Sequence, residues 1–224
     1  MCRVERWSTR TLRQKIGGML YERTALSKKP EVLARRELAA LRDEDRLTPD
    51  LVFRDPYFLD FLGLTGAFQE KDLEAAILRE MESFIMELGA GFAFVSRQKR
   101  ITLDGEDYYI DLLFYHRRLR RLVVVELKLD AFKPAHKGQM ELYLRWLDKY
   151  ERLPDEEPPI GLILCAGKKQ EQIELLQLGK SGIHVAEYLV ELPPLELLRD
   201  KLHRAIAIAH GRLGNHQEGL PDGR

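Results

Sequence analysis

Cysteine is scarce in this chain of 224 residues: there are two, Cys2 and Cys165, far apart in the sequence. So distant a pair makes neither a disulfide framework nor a zinc site, and a reducing compartment is the expectation. Net charge is missing too, because 36 Lys and Arg cancel 36 Asp and Glu. No field of the whole protein draws in nucleic acid, so binding to a phosphate backbone must come from local patches. No apolar run approaches the roughly 18–20 residues that cross a bilayer as a helix. The N-terminal MCRVERWSTR lacks the apolar stretch of a secretory signal. Internal repeats and low-complexity tracts are absent as well. A soluble, cytoplasmic protein is the expectation.

The chain is 45% hydrophobic, enough for one domain with a sizeable core plus a smaller appendage. Residues 1–54 are polar and charge-rich and read as a helical N-terminal arm or as the remnant of a missing domain. Residues 55–209 read as the globular domain, and the Gly-, Pro- and Asp-containing stretch 210–224 as a disordered tail. Within the domain, Lys71 to Leu88 places Ile77, Leu78, Met81, Phe84, Ile85 and Leu88 at helical spacing, with Gly89 and Gly91 closing the helix. Strand-like runs follow at Phe92–Leu103, Tyr108–His116 and Leu122–Leu129. Asp104-Gly105 marks the first turn, and the basic Arg117–Arg121 forms the second. Pro134 opens a helix to about Tyr150. A strand at Ile160–Cys165, a helix at Lys169–Leu178, a strand at Gly182–Tyr188 and a last helix at Leu195–Ala209 complete the order. This predicts an α/β fold, a mixed sheet flanked by helices: helix, three-strand meander, helix, strand, helix, strand.

Charge stands in two strands where it should not. Tyr108 to Tyr115 is apolar on both faces except for Asp111, as expected of a strand in mid-sheet, where an ionised carboxylate is costly. The next strand carries Glu126 and Lys128, two apart and so on one face. A Glu–Lys pair would neutralise itself and could be purely structural. Asp111 adds a second carboxylate that one lysine does not neutralise, and two converging acids call for a hard divalent cation, Mg2+ or Mn2+. On the preceding helix, Glu74 shares the face of Ile77, Leu78, Met81 and Ile85. It either serves the helix start or points at the site, with Glu80, off that face, as the fallback.

Asp111 followed by Glu126-Leu127-Lys128 resembles the signature of the PD-(D/E)xK nuclease superfamily, with Ile110 in place of the proline. A closer resemblance is to the C-terminal nuclease domain of a bacterial protein family. It is carried by Glu87–Phe94, Tyr109–His116, Val125–Lys128, Gly138-Gln139-Met140 with Tyr143-Leu144, and Gly161–Cys165, and it covers about residues 55–190. Members of that family carry a longer N-terminal region with a DNA-binding-like domain, so the chain reads as shortened. The resemblance implies a restriction-endonuclease-like fold and a Mg2+- or Mn2+-dependent endonuclease acting on DNA, with RNA left open. It implies Asp111 and Glu126 as metal ligands, Glu74 completing the shell or ordering a water, and Lys128 assisting attack on the phosphate. Gln139 and Tyr143 resemble the Q-xxx-Y element near the site in several branches. Gln98, Arg97, Arg117 and Arg118 are further candidates for contact with nucleic acid, and a homodimer would suit cutting both strands. The rival expectations are a nuclease-like module that binds or assembles without cutting, and an interaction protein whose buried charges form a structural network.

Overall fold

The computed structural model describes residues 49–191 together with 194, 196 and 200. Nearly all of them belong to one compact unit, Asp45–Leu192. The expectations for an arm before residue 49, a last helix at Leu195–Ala209 and a disordered tail lie outside the described residues.

A short helix α1 (Pro49–Val52) leads to a two-residue strand β1 (Tyr57–Phe58). Helices α2 (Glu70–Arg79) and α3 (Met81–Leu88) follow, then the meander β2 (Phe92–Leu103), β3 (Glu106–His116) and β4 (Arg121–Ala131). Helix α4 (Pro134–Tyr150), strand β5 (Ile160–Gly167), helix α5 (Gln170–Leu175) and strand β6 (Ile183–Leu189) complete the described α-helices and strands, with short 3-10 helices at Asp60–Leu62 and Leu178–Ser181. The sheet has six strands in the order β1-β6-β5-β4-β3-β2. β2, β3 and β4 pair antiparallel, whereas β4, β5, β6 and β1 run parallel. The mixed sheet between helices is therefore the architecture expected.

Local chemistry explains most of the boundaries. Asp104 and Gly105 both take positive φ (50° and 86°), as a two-residue hairpin demands. Pro134 sits in the first turn of α4, where its missing N–H costs nothing. At the start of α2 the Asp72 carboxylate accepts the Gln69 N–H at 2.8 Å.

Three features depart from the sequence reading. The helix expected over Lys169–Leu178 ends at Leu175, because Gln177 turns to φ 49° before the 3-10 helix Leu178–Ser181. The single helix expected over Lys71–Leu88 is two helices, because the backbone at Glu80 leaves helical geometry (φ −104°, ψ 34°). The break lets each half bury its own residues, Leu73, Ala76 and Ile77 in α2, Phe84 and Leu88 in α3. Strand β1 was not foreseen; its pairing with Tyr188 and Leu189 of β6 defines it.

Two apolar layers sandwich the sheet. One joins Leu73, Ile77 and Phe84 to Leu112, Phe114, Val125 and Leu164. The other joins Met140, Tyr143 and Leu147 of α4 to Ile110, Leu113, Val124 and Ile163. Residues two apart on a regular strand share a face, yet Ile110 and Leu112 lie in opposite layers. The alternation of β3 is broken at Asp111.

Candidate active site

That break is visible in the hydrogen bonding. The β3–β4 ladder runs from His116↔Arg121 to Leu112↔Val125 and stops one step before Asp111 would face Glu126. Side chains take over from there. The Asp111 N–H donates to Glu126 Oε1 at 3.3 Å, and the Leu127 N–H donates to Asp111 Oδ2 at 3.0 Å. The two strands separate, and the two carboxylates fill the space between their main chains.

The other side of Asp111 is irregular as well. The β2–β3 ladder passes from Arg97↔Leu112 to Lys99↔Ile110 and leaves Gln98 opposite Asp111 outside it. The Gln98 amide nitrogen donates to Asp111 Oδ1 at 3.2 Å and to Glu74 Oε2 at 2.8 Å. Helix α2 thus reaches the strand acid through Gln98. Glu80, at the junction of α2 and α3, is exposed.

Glu126 is 2% exposed, a carboxylate in the core. Burial and then the Asp111 charge push its pKa up to about 8, against the pull of Lys128. Lys128 Nζ stands 3.3 Å from Glu126 Oε2. Burial works against the ammonium, but Glu126, Asp111 and Glu70 outweigh it and hold Lys128 above its usual range. Asp111 is raised chiefly by burial, which the Leu127 N–H, Lys128 and Gln98 offset in part. Glu74 is raised, first by burial and also by Asp111, with Gln98 and Arg97 opposing.

Glu70 escaped the sequence reading. Its carboxylate lies 4.0 Å from Lys128 Nζ and accepts the Leu129 N–H at 3.4 Å. It stands one turn before Glu74, so the first turns of α2 direct one acid at the lysine and one towards Asp111. The signal was that i, i+4 spacing, hidden because acids are common at helix starts.

Tyr143 of α4 is buried and donates to the Tyr109 carbonyl at 3.1 Å, two residues before Asp111. Gln139 donates to the Tyr143 hydroxyl at 2.8 Å. Burial raises the Tyr143 phenol, and Glu126 and Asp111 add to the rise, so the pair stands beside the acids.

The basic candidates divide. Arg97, exposed on β2, acts electrostatically on Glu74 and stands beside the site. Arg117 and Arg118 do not reach it. They lie in the β3–β4 turn, six and seven residues beyond Asp111, about 20 Å at roughly 3.3 Å per residue. That turn also meets the acidic loop before β5: Arg121 lies 3.7 Å from Glu157, and Arg120 donates to the Asp155 carbonyl.

Among the described residues no three His, Cys, Asp or Glu side chains converge as a ready-made cage for a metal ion. Asp111 and Glu126 supply two adjacent hard carboxylates, with Glu74 behind Gln98. That donor set suits Mg2+, which takes one or two carboxylates, keeps several waters and shares the phosphates of its substrate. It does not suit a metal that requires four protein ligands.

The sequence model of the YhcG PDDEXK nuclease domain matches residues 50–203. The YhcG protein of Escherichia coli (strain K12) is 39% identical over 203 residues, 90% of this chain and 53% of that protein. The chain therefore spans about half the length of this curated relative. A repair endonuclease from Pyrococcus abyssi matches at 21% identity and a TM-score of 0.37, over 58% of this chain and 50% of its own. EndoMS in a complex with double-stranded DNA matches at 19% identity and 0.39, over 58% and 48%.

Proposed function

The chain belongs to the YhcG PDDEXK nuclease domain family, and from that premise we propose that it is a Mg2+-dependent endonuclease that hydrolyses phosphodiester bonds in DNA. The observation that carries this reading is the pair of carboxylates held side by side, Glu126 by the Asp111 N–H and Asp111 by the Leu127 N–H, with Lys128 Nζ 3.3 Å from Glu126.

Asp111 and Glu126 would hold Mg2+ or Mn2+, with Glu74 ordering a water or completing the shell. The bound cation would polarise the scissile phosphate and acidify water. Both acids are fixed before substrate arrives by the N–H groups of Leu127 and Asp111. Such preorganisation leaves little to rearrange when charge develops. Lys128 is held in its charged form by three carboxylates and can donate to the attacking oxygen or to a phosphoryl oxygen. Tyr143, steadied by Gln139, anchors the Tyr109 carbonyl and so the approach of β3 to Asp111.

Arg97, exposed and near enough to act on Glu74, would meet a phosphate next to the cleaved bond. DNA is the substrate that family resemblance implies, and cutting both strands would call for two copies of the chain. The test is incubation with closed circular DNA, linear DNA and RNA of matching sequence, with Mg2+ or with chelator. Cutting of the circle with Mg2+ alone, with RNA spared, is expected. Cutting of RNA with DNA spared would overturn the substrate, and cutting of linear DNA with the circle spared would overturn the endonuclease.

A further inference from the structure

Gln98 combines a strained backbone with an unusual pair of partners. It lies within β2 at φ 43°, in the left-handed region that favours glycine and asparagine. A long side chain at such a place is uncommon, and strain of this kind persists where the surroundings over-determine it. Here the surroundings are two acids. The amide nitrogen of Gln98 lies 2.8 Å from Glu74 Oε2 and 3.2 Å from Asp111 Oδ1. Both partners are carboxylates, so the NH2 end must face them, one hydrogen for each. The kink falls at the step where Gln98 faces Asp111 outside the β2–β3 ladder.

We propose that Gln98 is a positioning residue of the metal site: its side-chain amide ties Glu74 of helix α2 to Asp111 of strand β3 and fixes the orientation in which Asp111 meets the cation. The inference rests on the metal-dependent reading given above. A neutral amide adds little net charge to the site. What it supplies is geometry, because it anchors the Asp111 oxygen that the Leu127 N–H does not hold. Partners that orient ligating carboxylates contribute about 10- to 100-fold to metal affinity or activity.

Two substitutions separate the side chain from the backbone. Gln98→Gly removes the amide and accepts the positive φ without strain. Gln98→Ala removes the amide and retains the strain. The measurements are Mn2+ binding by calorimetry and thermal unfolding of the metal-free protein, alongside the wild type and Asp111→Ala. Both Gln98 variants should bind Mn2+ about 10- to 100-fold more weakly than the wild type. The glycine variant should unfold no lower than the wild type, and the alanine variant below the glycine one. Cleavage lost at limiting Mg2+ should return as Mg2+ is raised. Unchanged or tighter Mn2+ binding by the glycine variant would overturn the proposal while leaving the nuclease reading in place. So would affinities of the two variants that diverge as their stabilities do. A folded wild type that binds no Mn2+ would overturn both.

Discussion

Asp111 and Glu126 lock together across two strands that have stopped pairing. The Asp111 N–H binds Glu126 Oε1 at 3.3 Å, and the N–H that follows Glu126 binds Asp111 Oδ2 at 3.0 Å. Each acid substitutes for a rung of the ladder, so the strands open without leaving these N–H groups bare. An opening that holds two ionised acids side by side is unfavourable without a cation.

Glu126→Gln should stabilise the metal-free protein at alkaline pH. The folded-state pKa of Glu126 is raised from 4.5 to about 8, so between those values the folded state binds more protons than the unfolded one. Stability from this group is complete below about 4.5 and is lost as pH rises towards 8. Glutamine mimics the protonated acid. With chelator at pH 8.5 the variant should gain on the order of 1–2 kcal/mol, about 2–8 °C in Tm for a domain of this size. At pH 5 the gain should nearly vanish. A variant less stable than the wild type at pH 8.5 would contradict the assignment.

His116 should work in the opposite sense. It is buried, and its Nδ1 accepts the Leu119 N–H at 3.1 Å. Burial lowers its pKa, and Arg118 and Arg121 add to the effect. A lowered folded pKa means that the unfolded state takes up the proton first. Stability is therefore complete above about 6.5 and lost as pH falls through the folded value. The wild type should lose Tm more steeply between pH 7 and pH 5 than His116→Asn, which keeps an acceptor near Nδ1. Equal slopes would show that His116 does not titrate in this way.

Gly161 of β5 lies directly against Met140 of α4. A Cβ there would lie 2.4 Å from Met140 Sδ and 2.7 Å from its Cγ, and Met140 is fully buried. Gly161→Ala should cost about 1–3 kcal/mol through overpacking. The double variant Gly161→Ala with Met140→Ala should cost less than the sum of the singles, because shortening Met140 makes room. Additive losses in denaturant unfolding would place the clash elsewhere.

The charged residues of the site were legible because they interrupt strands that are otherwise apolar. Asp111, Glu126 and Lys128 stand out against Tyr108–Tyr115 and Leu122–Leu129 for that reason. Helix α4 was legible at both ends, since Pro134 fixes its start and its buried face, Met140, Tyr143, Leu144 and Leu147, keeps helical period. Glu70 was not, because an exposed acid in a first turn has an ordinary explanation in the helix dipole. Neither was the kink at Gln98, whose φ no glycine or asparagine announces. Arg117 and Arg118 follow the end of β3, away from Asp111, so their reading as contacts for a phosphate backbone concerns the surface beyond the acids. The break at Glu80 has no Gly or Pro to mark it; tertiary packing decides it.

The most direct measurement is Mg2+-dependent cleavage of DNA by the wild type, Asp111→Asn and Lys128→Ala, each shown to be folded by its thermal transition, with Mn2+ binding followed by calorimetry. The wild type should cut and bind. Asp111→Asn should lose both, while Lys128→Ala should still bind Mn2+ and lose at least about 100-fold in rate, the scale of one preorganised donor. Cleavage that survives both substitutions in folded protein would place the active site elsewhere in the chain.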